Sequence, residues 1–559
     1  MHSGSKFVYV YDNSSSESDD EDVTKVEKNE SHERSRKIDT NAIKIDFKNL
    51  ESHSYICHSQ PIVCNSCPAI ATLENDFDND LSSQHKWTCK YCGAGNSDEM
   101  TTSVSIENDT SYFIQENTNF SGTCPTQSNS EIDINDTTLI CFCIDTSVSM
   151  GHDIYPGLWD SSSLTRLNAL KSAVLQQIDY LQEYKPNAKI SLITFGSTVS
   201  HHDSISSEIL INDILVNDKE GIFSIGKNIP NALSIKQTSV ELTNIVKNLK
   251  PDGSTALGPA LLLAVAFCSS FHGSKIILCT DGEANVGLGS LNGTTSNSVD
   301  FYDYVGQYAK DNGVSISLLT IGAYCKISQL GSVVAATNGS VKVVDPIDLG
   351  DEFREIIDDR LIAINMKATL VLPKQFYIRN YGFLKNKSNN YQTFEIGNVT
   401  QNKEYGIEFG IKSLIDRNSI GKAVLFQLIL NYSDRDGNRI CRVYGKSLKT
   451  TKSREEAEEN ADLEVITVNA MQQAARIQLL GKLNIVRSRL LAQERFFARQ
   501  EQWHTLAANR ILAFGNQHVK DYLSELIVTD ETLEKQRAKQ SDQAAAKMFQ
   551  TLVFDKSKI

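Results

Sequence analysis

Long apolar runs are scarce in this sequence. The longest run, Ala260 to Cys268, is nine residues, whereas a helix needs about 20 apolar residues to cross a bilayer. Residues 1–10 also lack the basic start and apolar centre of a signal peptide. We therefore expect no transmembrane segment, no secretion and a cytoplasmic location. Peripheral contact with endomembranes stays open.

An excess of positive charge is missing as well. The 559 residues carry a net charge of −14 and show no long basic stripe, which argues against a nucleic-acid partner. The Gly-x-x-x-x-Gly-Lys-Ser/Thr phosphate loop and the Asn-Lys-x-Asp motif are also missing, so we expect no GTPase here. The length is too great for one core and predicts several domains.

Glycine and proline nearly vanish between residues 453 and 554, where Ala, Leu, Gln, Glu and Arg dominate. Apolar residues there recur near helical spacing and predict a helical region over 453–555. Residues 365–449 instead alternate strand-like runs with turns, including Asp436-Gly437 between two runs, which predicts an antiparallel β-sandwich. Residues 1–50 are predicted to be a disordered acidic arm, because residues 12–40 have few apolar anchors.

Eight of the twelve cysteines fall into two groups. Cys64, Cys67, Cys89 and Cys92 form two Cys-x-x-Cys pairs with 21 residues between them, which predicts one structural Zn²⁺ in a closed four-sulfur set over residues 55–98. Cys57, His58 and His85 are too few and wrongly spaced to complete the two interleaved sites of a ubiquitin-ligase RING. The second group lies in apolar stretches and predicts reduced, buried thiols: Cys141, Cys143, Cys268 and Cys279.

Residues 136–346 alternate apolar strands with helix-patterned stretches, which predicts a doubly wound, mostly parallel sheet. The predicted strands are Leu139 to Ile144, Lys189 to Phe195, Lys275 to Thr280, Val314 to Ile321 and Val341 to Val344, and Leu164 to Tyr184 is a predicted helix. The polar, weakly patterned segment from His201 to Gln237 is predicted to be an insertion at the rim of the ligand crevice.

Oxygen-bearing side chains follow two of these strands, and another lies in a glycine-rich turn before a helix-like stretch. They are Asp145, Ser147 and Ser149 after the first strand, Asp281 after the third, and Thr255 in the turn. The carboxyl ends of parallel strands open onto one crevice, so we expect the five to converge. Hydroxyls and carboxylates suit a hard cation that prefers about six oxygens. The sequence therefore predicts Mg²⁺, or Mn²⁺, with one coordination position left for a ligand. His152 is predicted to be a solvated loop residue rather than a general base.

The segments Asp145 to Gly151, Ser254 to Leu261 and Thr280 to Gly282 resemble the metal-ion-dependent adhesion site of von Willebrand A (vWA) domains, and Arg166 to Val174 is similar to their first helix. The resemblance implies direct contact of Ser147, Ser149 and Thr255 with the ion. It also implies that Asp145 and Asp281 act directly or through water, and that an Asp or Glu from a protein partner fills the last position.

The cysteine pairs, with Trp87 and Gly93-Ala-Gly-Asn96, resemble the zinc finger of the Sec23/Sec24 vesicle-coat proteins. Those proteins join such a finger to a vWA-like trunk, a β-sandwich and a helical domain. A finger paired with a complete adhesion-type site is also similar to the non-GTPase part of circularly permutated Ras proteins. The expected fold class is therefore multidomain α/β: a zinc ribbon, a Rossmann-like vWA domain over 136–346, a sandwich and a C-terminal helical region.

Three functions remain open on this basis. The first is a non-enzymatic interaction module that binds an acidic partner residue through Mg²⁺. The second is a structural protein similar to the coat between endoplasmic reticulum and Golgi, in which the magnesium is incidental. The third is an enzyme, either a ubiquitin ligase or a metal hydrolase. The sequence offers no positioned base for a hydrolase, so we expect no enzyme.

Overall fold

The protein is described from a computed structural model. Apart from short gaps at 49, 203–208, 213–214, 231, 292–294, 322–324, 326, 436, 544 and 549, the structure describes residues 1–10, 40–50, 56–57, 61–71, 76–77, 86–97, 110–114, 138–154, 165–379, 390–412, 421–479, 483–500 and 542–550.

The strands in chain order are β1 (His2–Ser3), β2 (Phe7–Tyr9), β3 (Ala42–Asp46), β4 (Ile56–Cys57), β5 (Asp76–Phe77), β6 (Lys86–Thr88), β7 (Gly95–Ser97), β8 (Thr110–Ile114), β9 (Leu139–Asp145), β10 (Lys189–Phe195), β11 (Val199–His202), β12 (Ile209–Ile211), β13 (Lys275–Thr280), β14 (Ser315–Thr320), β15 (Val341–Val343), β16 (Leu361–Val371), β17 (Phe376–Arg379), β18 (Tyr391–Thr400), β19 (Glu404–Ile411), β20 (Ala423–Ser433) and β21 (Arg439–Thr451). The helices are α1 (Arg166–Tyr184), α2 (Lys219–Asn228), α3 (Ile235–Asn248), α4 (Leu257–Cys268), α5 (Thr295–Asp311), α6 (Ile327–Ala336), α7 (Leu349–Asp358), α8 (Arg454–Glu459), α9 (Leu463–Leu479) and α10 (Leu483–Gln500).

The central sheet has the strand order β12-β11-β10-β9-β13-β14-β15. Strands β10, β9, β13, β14 and β15 are parallel, whereas β11 pairs antiparallel with both β10 and the edge strand β12. Apolar cores lie on both faces of this sheet. The predicted mixed α/β class with a parallel-rich, vWA-like sheet is confirmed.

Burial explains why these elements were visible in the sequence. Every residue of β9 is buried, because a central parallel strand is covered on both faces and reads as a continuous apolar run. Helix α4 is buried along its whole length, as expected of a helix that is apolar all round. Pro259 lies in the first turn of α4, where a missing backbone N–H costs little.

The described residues of segment 201–237 form regular elements, which the weak sequence pattern did not indicate. They include the end of β11 and all of β12, which form one edge of the sheet, and helix α2, which packs against α4. Gly226 of α2 lies where an added Cβ would be 2.6 Å from the Ala266 Cβ on α4. These short elements are stabilised by close packing against their neighbours, whereas the central strands are marked by long apolar runs in the sequence.

The strands outside the central sheet and the finger form a β-sandwich. One of its sheets has the order β1-β3-β19-β17 and the other β18-β16-β20-β21-β8-β4, with β2 parallel to β21. Its core includes Val8 and Ile43 from the N-terminal strands. The predicted arm over residues 1–50 is therefore corrected at both ends, because β1, β2 and β3 are held by strands of the sandwich. Residues 11–39 lie outside the described residues.

Helix α9 packs on the sandwich through buried polar contacts. The Gln472 amide accepts from the Gly406 N–H and donates to the Glu404 carbonyl, both at 2.8 Å. Lys44 of β3 pairs with Glu404 at 2.7 Å and with Glu464 at 2.6 Å.

Within the described ranges, no helix combines the length and apolar character that a bilayer crossing requires.

Candidate metal sites

The four paired cysteines come together in one cluster. All four sulfur atoms lie within 4.8 Å of one another; the Cys64 and Cys92 sulfurs are 3.5 Å apart, and those of Cys67 and Cys89 are 3.7 Å apart. Zn–S bonds of about 2.3 Å in a tetrahedral set place sulfur atoms about 3.8 Å apart. The donor set therefore fits one zinc ion and leaves no open position.

Two tight turns present these sulfurs. The Cys64 N–H donates to the Ala69 carbonyl at 2.8 Å, and the Cys89 N–H donates to the Ala94 carbonyl at 2.9 Å. The buried Asn96 amide lies 3.6 Å from the Cys64 sulfur and accepts from the Asn65 N–H at 2.9 Å. Such outer contacts orient metal ligands and tune the charge on sulfur.

Hydrogen bonding between two of the thiols shifts their pKa values in opposite directions. The hydrogen bond from Cys67 lowers the pKa of Cys89 to about 5, and the same contact raises the pKa of Cys67. A cation in the cluster would favour loss of the thiol protons.

The finger is anchored on the β-sandwich. The Ile70 N–H donates to the Gln427 side-chain oxygen at 2.8 Å, and the Gln427 amide donates to the Ile70 carbonyl at 2.9 Å. Trp87 and Tyr91 are buried against an apolar patch of the sandwich that includes Ile429 and Val443. The finger and the sandwich therefore share a core.

The second site begins where β9 ends. Asp145 is fully buried; its carboxylate accepts from the Ser147 N–H at 2.8 Å and from the Thr280 hydroxyl at 2.5 Å. A short 3-10 turn, Val148–Gly151, follows and brings the Ser149 hydroxyl to 2.9 Å from that of Ser147. One loop thus brings together three of the predicted oxygen-bearing side chains.

Asp281 joins this group from the end of β13. Its Oδ1 accepts from the Ser149 hydroxyl at 2.7 Å, and its Oδ2 accepts from Arg166 Nη1 at 2.5 Å. The Asp281 side chain is fully buried, whereas that of Arg166 is 29% exposed. Asp145, Ser147, Ser149 and Asp281 are therefore linked, and a positive charge lies beside them.

Thr255 reaches the same crevice on a loop clamped against the first one. The Asp252 N–H donates to the Thr146 carbonyl at 2.7 Å, and the Val148 N–H donates to the Gly253 carbonyl at 3.1 Å. Gly196 permits this approach, since an added Cβ would lie 2.3 Å from the Asp252 carbonyl oxygen. A Cβ placed on Gly282 would lie 3.6 Å from the Ser149 hydroxyl and 3.9 Å from that of Thr255, so both hydroxyls face one point.

Sequence reasoning missed the residues that fix these loops. Asn285 accepts from the Thr255 N–H at 2.8 Å and donates its own N–H to the Thr255 carbonyl at 3.1 Å. Thr280 holds Asp145, and Arg166 holds Asp281. Arg166 stood in the predicted first helix, yet nothing in a helical pattern shows which distant carboxylate a side chain will meet. His152 is exposed, as expected of a loop residue.

The electrostatics suit a cation. Burial raises the pKa of Asp145 to about 6, while hydrogen bonds from Thr280 and Ser147 oppose that rise. Two buried carboxylates beside three hydroxyls form the hard oxygen donor set that Mg²⁺ prefers. The residues present therefore fit a magnesium ion, with Asp145, Ser147, Ser149, Thr255 and Asp281 as the candidate holders.

Residues 141–354 match the Sec23/Sec24 trunk domain. The structure is also similar to that of the human COPII-coat protein Sec24c, with a TM-score of 0.56 and 12% identity over 89% of this chain and 70% of that one. The resemblance to the coat trunk that the sequence indicated is confirmed, and the likeness to Sec24c shows a shared fold.

A relative from Dictyostelium discoideum, circularly permutated Ras protein 1, is 25% identical over 468 residues, covering 79% of this chain and 54% of that protein. The chain thus spans about half the length of that relative. A von Willebrand factor type A protein from Catenulispora acidiphila aligns with a TM-score of 0.46 and 17% identity over 75% of this chain and 89% of that one.

Proposed function

We propose that this protein is a non-enzymatic, metal-dependent interaction module. In this proposal Mg²⁺ is held by Asp145, Ser147, Ser149, Thr255 and Asp281 and binds the carboxylate of an Asp or Glu on a partner protein. The observation that carries the proposal is the linked group of Asp145, Ser147, Ser149 and Asp281 at the carboxyl edge of the central sheet.

A carboxylate is the partner group that matches this chemistry. A bound divalent ion is the largest local charge and governs which groups approach it, whatever the net charge of the protein. The five candidate holders leave one position of a six-coordinate ion, and a carboxylate oxygen is the hard anionic ligand that such a position favours.

The variant Ser149→Ala tests this proposal with little disturbance of the fold. It removes one candidate holder, whereas Asp145→Ala would also leave the Thr280 hydroxyl and the Ser147 N–H without their buried acceptor. Mn²⁺ binding, followed by electron paramagnetic resonance of the free ion, should weaken at least about tenfold. Asp153→Ala, an exposed carboxylate in the same loop, is the matched control and should bind Mn²⁺ as the wild type does.

Partner capture from cell extract then completes the test. Wild-type protein should retain its partner in Mg²⁺ and release it in EDTA, and Ser149→Ala should fail to retain it in either condition. Equal capture by wild type and Ser149→Ala, or capture that persists in EDTA, would reject the metal-dependent role.

We also propose that Cys64, Cys67, Cys89 and Cys92 hold one structural zinc ion. Support comes from the sulfur separations and from the absence of an open position in the set. Zinc measured by mass spectrometry should equal one per chain and fall to zero in Cys89→Ser. Cys441→Ala changes a buried cysteine of the same apolar cluster that lies outside the set, and its zinc content should stay at one.

A coat-like structural role is the second candidate, favoured by the trunk match and by the fold shared with Sec24c. In this role the protein works in the cytoplasm through its surfaces, peripheral to endomembranes, and the magnesium is incidental. Recruitment to endoplasmic reticulum exit sites by both wild type and Ser149→Ala would favour it. Absence from those sites in both proteins would count against it.

A further inference from the structure

Arg166 places a positive charge directly against the proposed cation site. Its Nη1 donates to Asp281 Oδ2 at 2.5 Å, while Asp281 Oδ1 accepts from Ser149 at 2.7 Å. We infer that Arg166 determines the selectivity of this site for anionic partners: it weakens cation binding and strengthens capture of the carboxylate. This inference rests on the proposed magnesium site and goes beyond it by assigning a residue that sets the charge of the loaded site.

The start of α1 holds Arg166 in place. The Thr165 hydroxyl caps the helix by accepting from the Asn168 N–H at 3.2 Å, and the Arg166 N–H donates to the His152 carbonyl at 3.2 Å. The backbone of Arg166 is thus tied to the loop that carries Ser147 and Ser149. Its side chain is 29% exposed, so part of it is accessible to solvent and to a docked partner.

Charge counting shows what Arg166 changes. Asp145 and Asp281 bring two negative charges to the site and Arg166 brings one positive charge. A divalent cation would leave the site with one net positive charge when Arg166 is present, and neutral when it is absent. Because close charges interact strongly away from bulk water, the same residue opposes the cation and favours an anion.

The guanidinium also offers directed donors. It presents a planar fork of N–H groups that matches a carboxylate, and its present partner, Asp281, is itself a carboxylate. A partner's carboxylate can therefore place one oxygen on the cation and the other on Arg166. A neutral or cationic side chain would gain neither contact.

The variant Arg166→Gln tests this role through two effects of opposite sign. Mn²⁺ binding, measured by electron paramagnetic resonance of the free ion at low salt, should tighten about tenfold because one repelling charge is gone. Acetate, titrated into the Mn²⁺-loaded protein and followed by water-proton relaxation as it displaces bound water, should require roughly fivefold higher concentration. Sodium chloride in the same titration controls for ionic strength. Misfolding would weaken both kinds of binding and so cannot imitate this result.

Two further variants complete the design. Arg166→Lys keeps the charge and loses the fork, so its Mn²⁺ affinity should stay near that of the wild type while acetate binding weakens. Lys171→Gln removes one charge from the same helix at a residue whose ammonium donates to the Lys247 carbonyl, and both affinities should stay near wild type. If Arg166→Gln binds Mn²⁺ no more tightly than wild type, or binds acetate equally well, the role of Arg166 is overturned. If the wild type binds no Mn²⁺ at all, the magnesium site is overturned with it.

Discussion

The two candidate metal sites of this protein are built in opposite ways. The four-cysteine cluster draws its donors from residues 64–92, within one small finger, and closes around any ion it holds. The crevice site draws its donors from three segments spread over residues 145–281, and hydrogen bonds already join most of them. The comparison leads us to expect that the cysteine cluster depends on its cation for structure, whereas the crevice is held together by the protein itself.

The difference follows from how each site is supported. Around the sulfurs lie short strands and turns, and the finger relies on the sandwich for part of its core. The crevice lies at the edge of a seven-stranded sheet that has apolar cores on both faces. A rigid scaffold keeps donors in place without an ion, which is the usual requirement of a binding site that must stay partly open.

Loss of zinc should have the largest effect. A structural zinc site supplies on the order of 10 kcal/mol to a small zinc domain, so Cys89→Ser or a strong chelator should unfold the finger. Trp87, which is 2% exposed beside Cys89, would then meet water, and its fluorescence should shift to longer wavelength. If the emission and the protease resistance of the finger stay unchanged without zinc, the contrast between the two sites fails.

Saturation of the crevice with magnesium should have a smaller effect. A ligand at about 100 times its dissociation constant stabilises the folded state by about 2.7 kcal/mol. The denaturation midpoint of wild type should rise with Mg²⁺ while its far-ultraviolet circular dichroism stays the same. Ser149→Ala should show little of this rise, and an equal rise in both proteins would mean that the ion binds elsewhere.

Asp145→Ala should destabilise the protein even without metal. Its carboxylate is the acceptor for the buried Ser147 N–H and the nearer of two acceptors for the Thr280 hydroxyl, and leaving a buried donor without a partner costs about 2 kcal/mol. Ser149→Ala should cost less than Asp145→Ala, because Asp281 loses one donor and keeps its contact with Arg166. Equal stability of the two variants in urea unfolding, with EDTA present, would contradict the view that hydrogen bonds hold the empty crevice together.

Thr165→Ala should have the smallest effect. Loss of an N-cap hydroxyl costs about 1 kcal/mol, and Thr165 caps the helix that carries Arg166. Thermal unfolding should show a small decrease in midpoint, and Thr165→Ser should restore it. Tighter Mn²⁺ binding by Thr165→Ala than by the wild type would show that the cap also positions Arg166.

The central strands could be predicted closely from the sequence. The strands Lys189–Phe195 and Lys275–Thr280 have the predicted bounds, and β9 extends one residue past the prediction, to Asp145. Buried parallel strands are continuous apolar runs with polar loops after them, so both their bounds and the candidate donors at their ends were visible. The cluster of four cysteines could be predicted for a similar reason, since each Cys-x-x-Cys turn spans only a few residues.

Elements stabilised by distant partners could not be predicted in this way. Strand β3 pairs with β19, where Ala42 faces Glu408, and no local pattern announces a partner so far along the chain. The contacts of Arg166 with Asp281 and of Asn285 with Thr255 likewise join loops only in the folded state. Local sequence patterns therefore pointed to the candidate donors of the crevice site but not to the residues that orient them.

The position of β3 constrains how this protein can be divided for experiments. Strand β3 lies between β1 and β19, and its Lys44 neutralises the buried Glu404. A recombinant fragment that starts at the zinc finger would leave β19 with an unpaired edge, which promotes association between molecules, and would leave Glu404 without its counter-ion. We therefore expect boundaries drawn at the finger to yield aggregated material, and soluble fragments of the sandwich to require strands β1, β2 and β3.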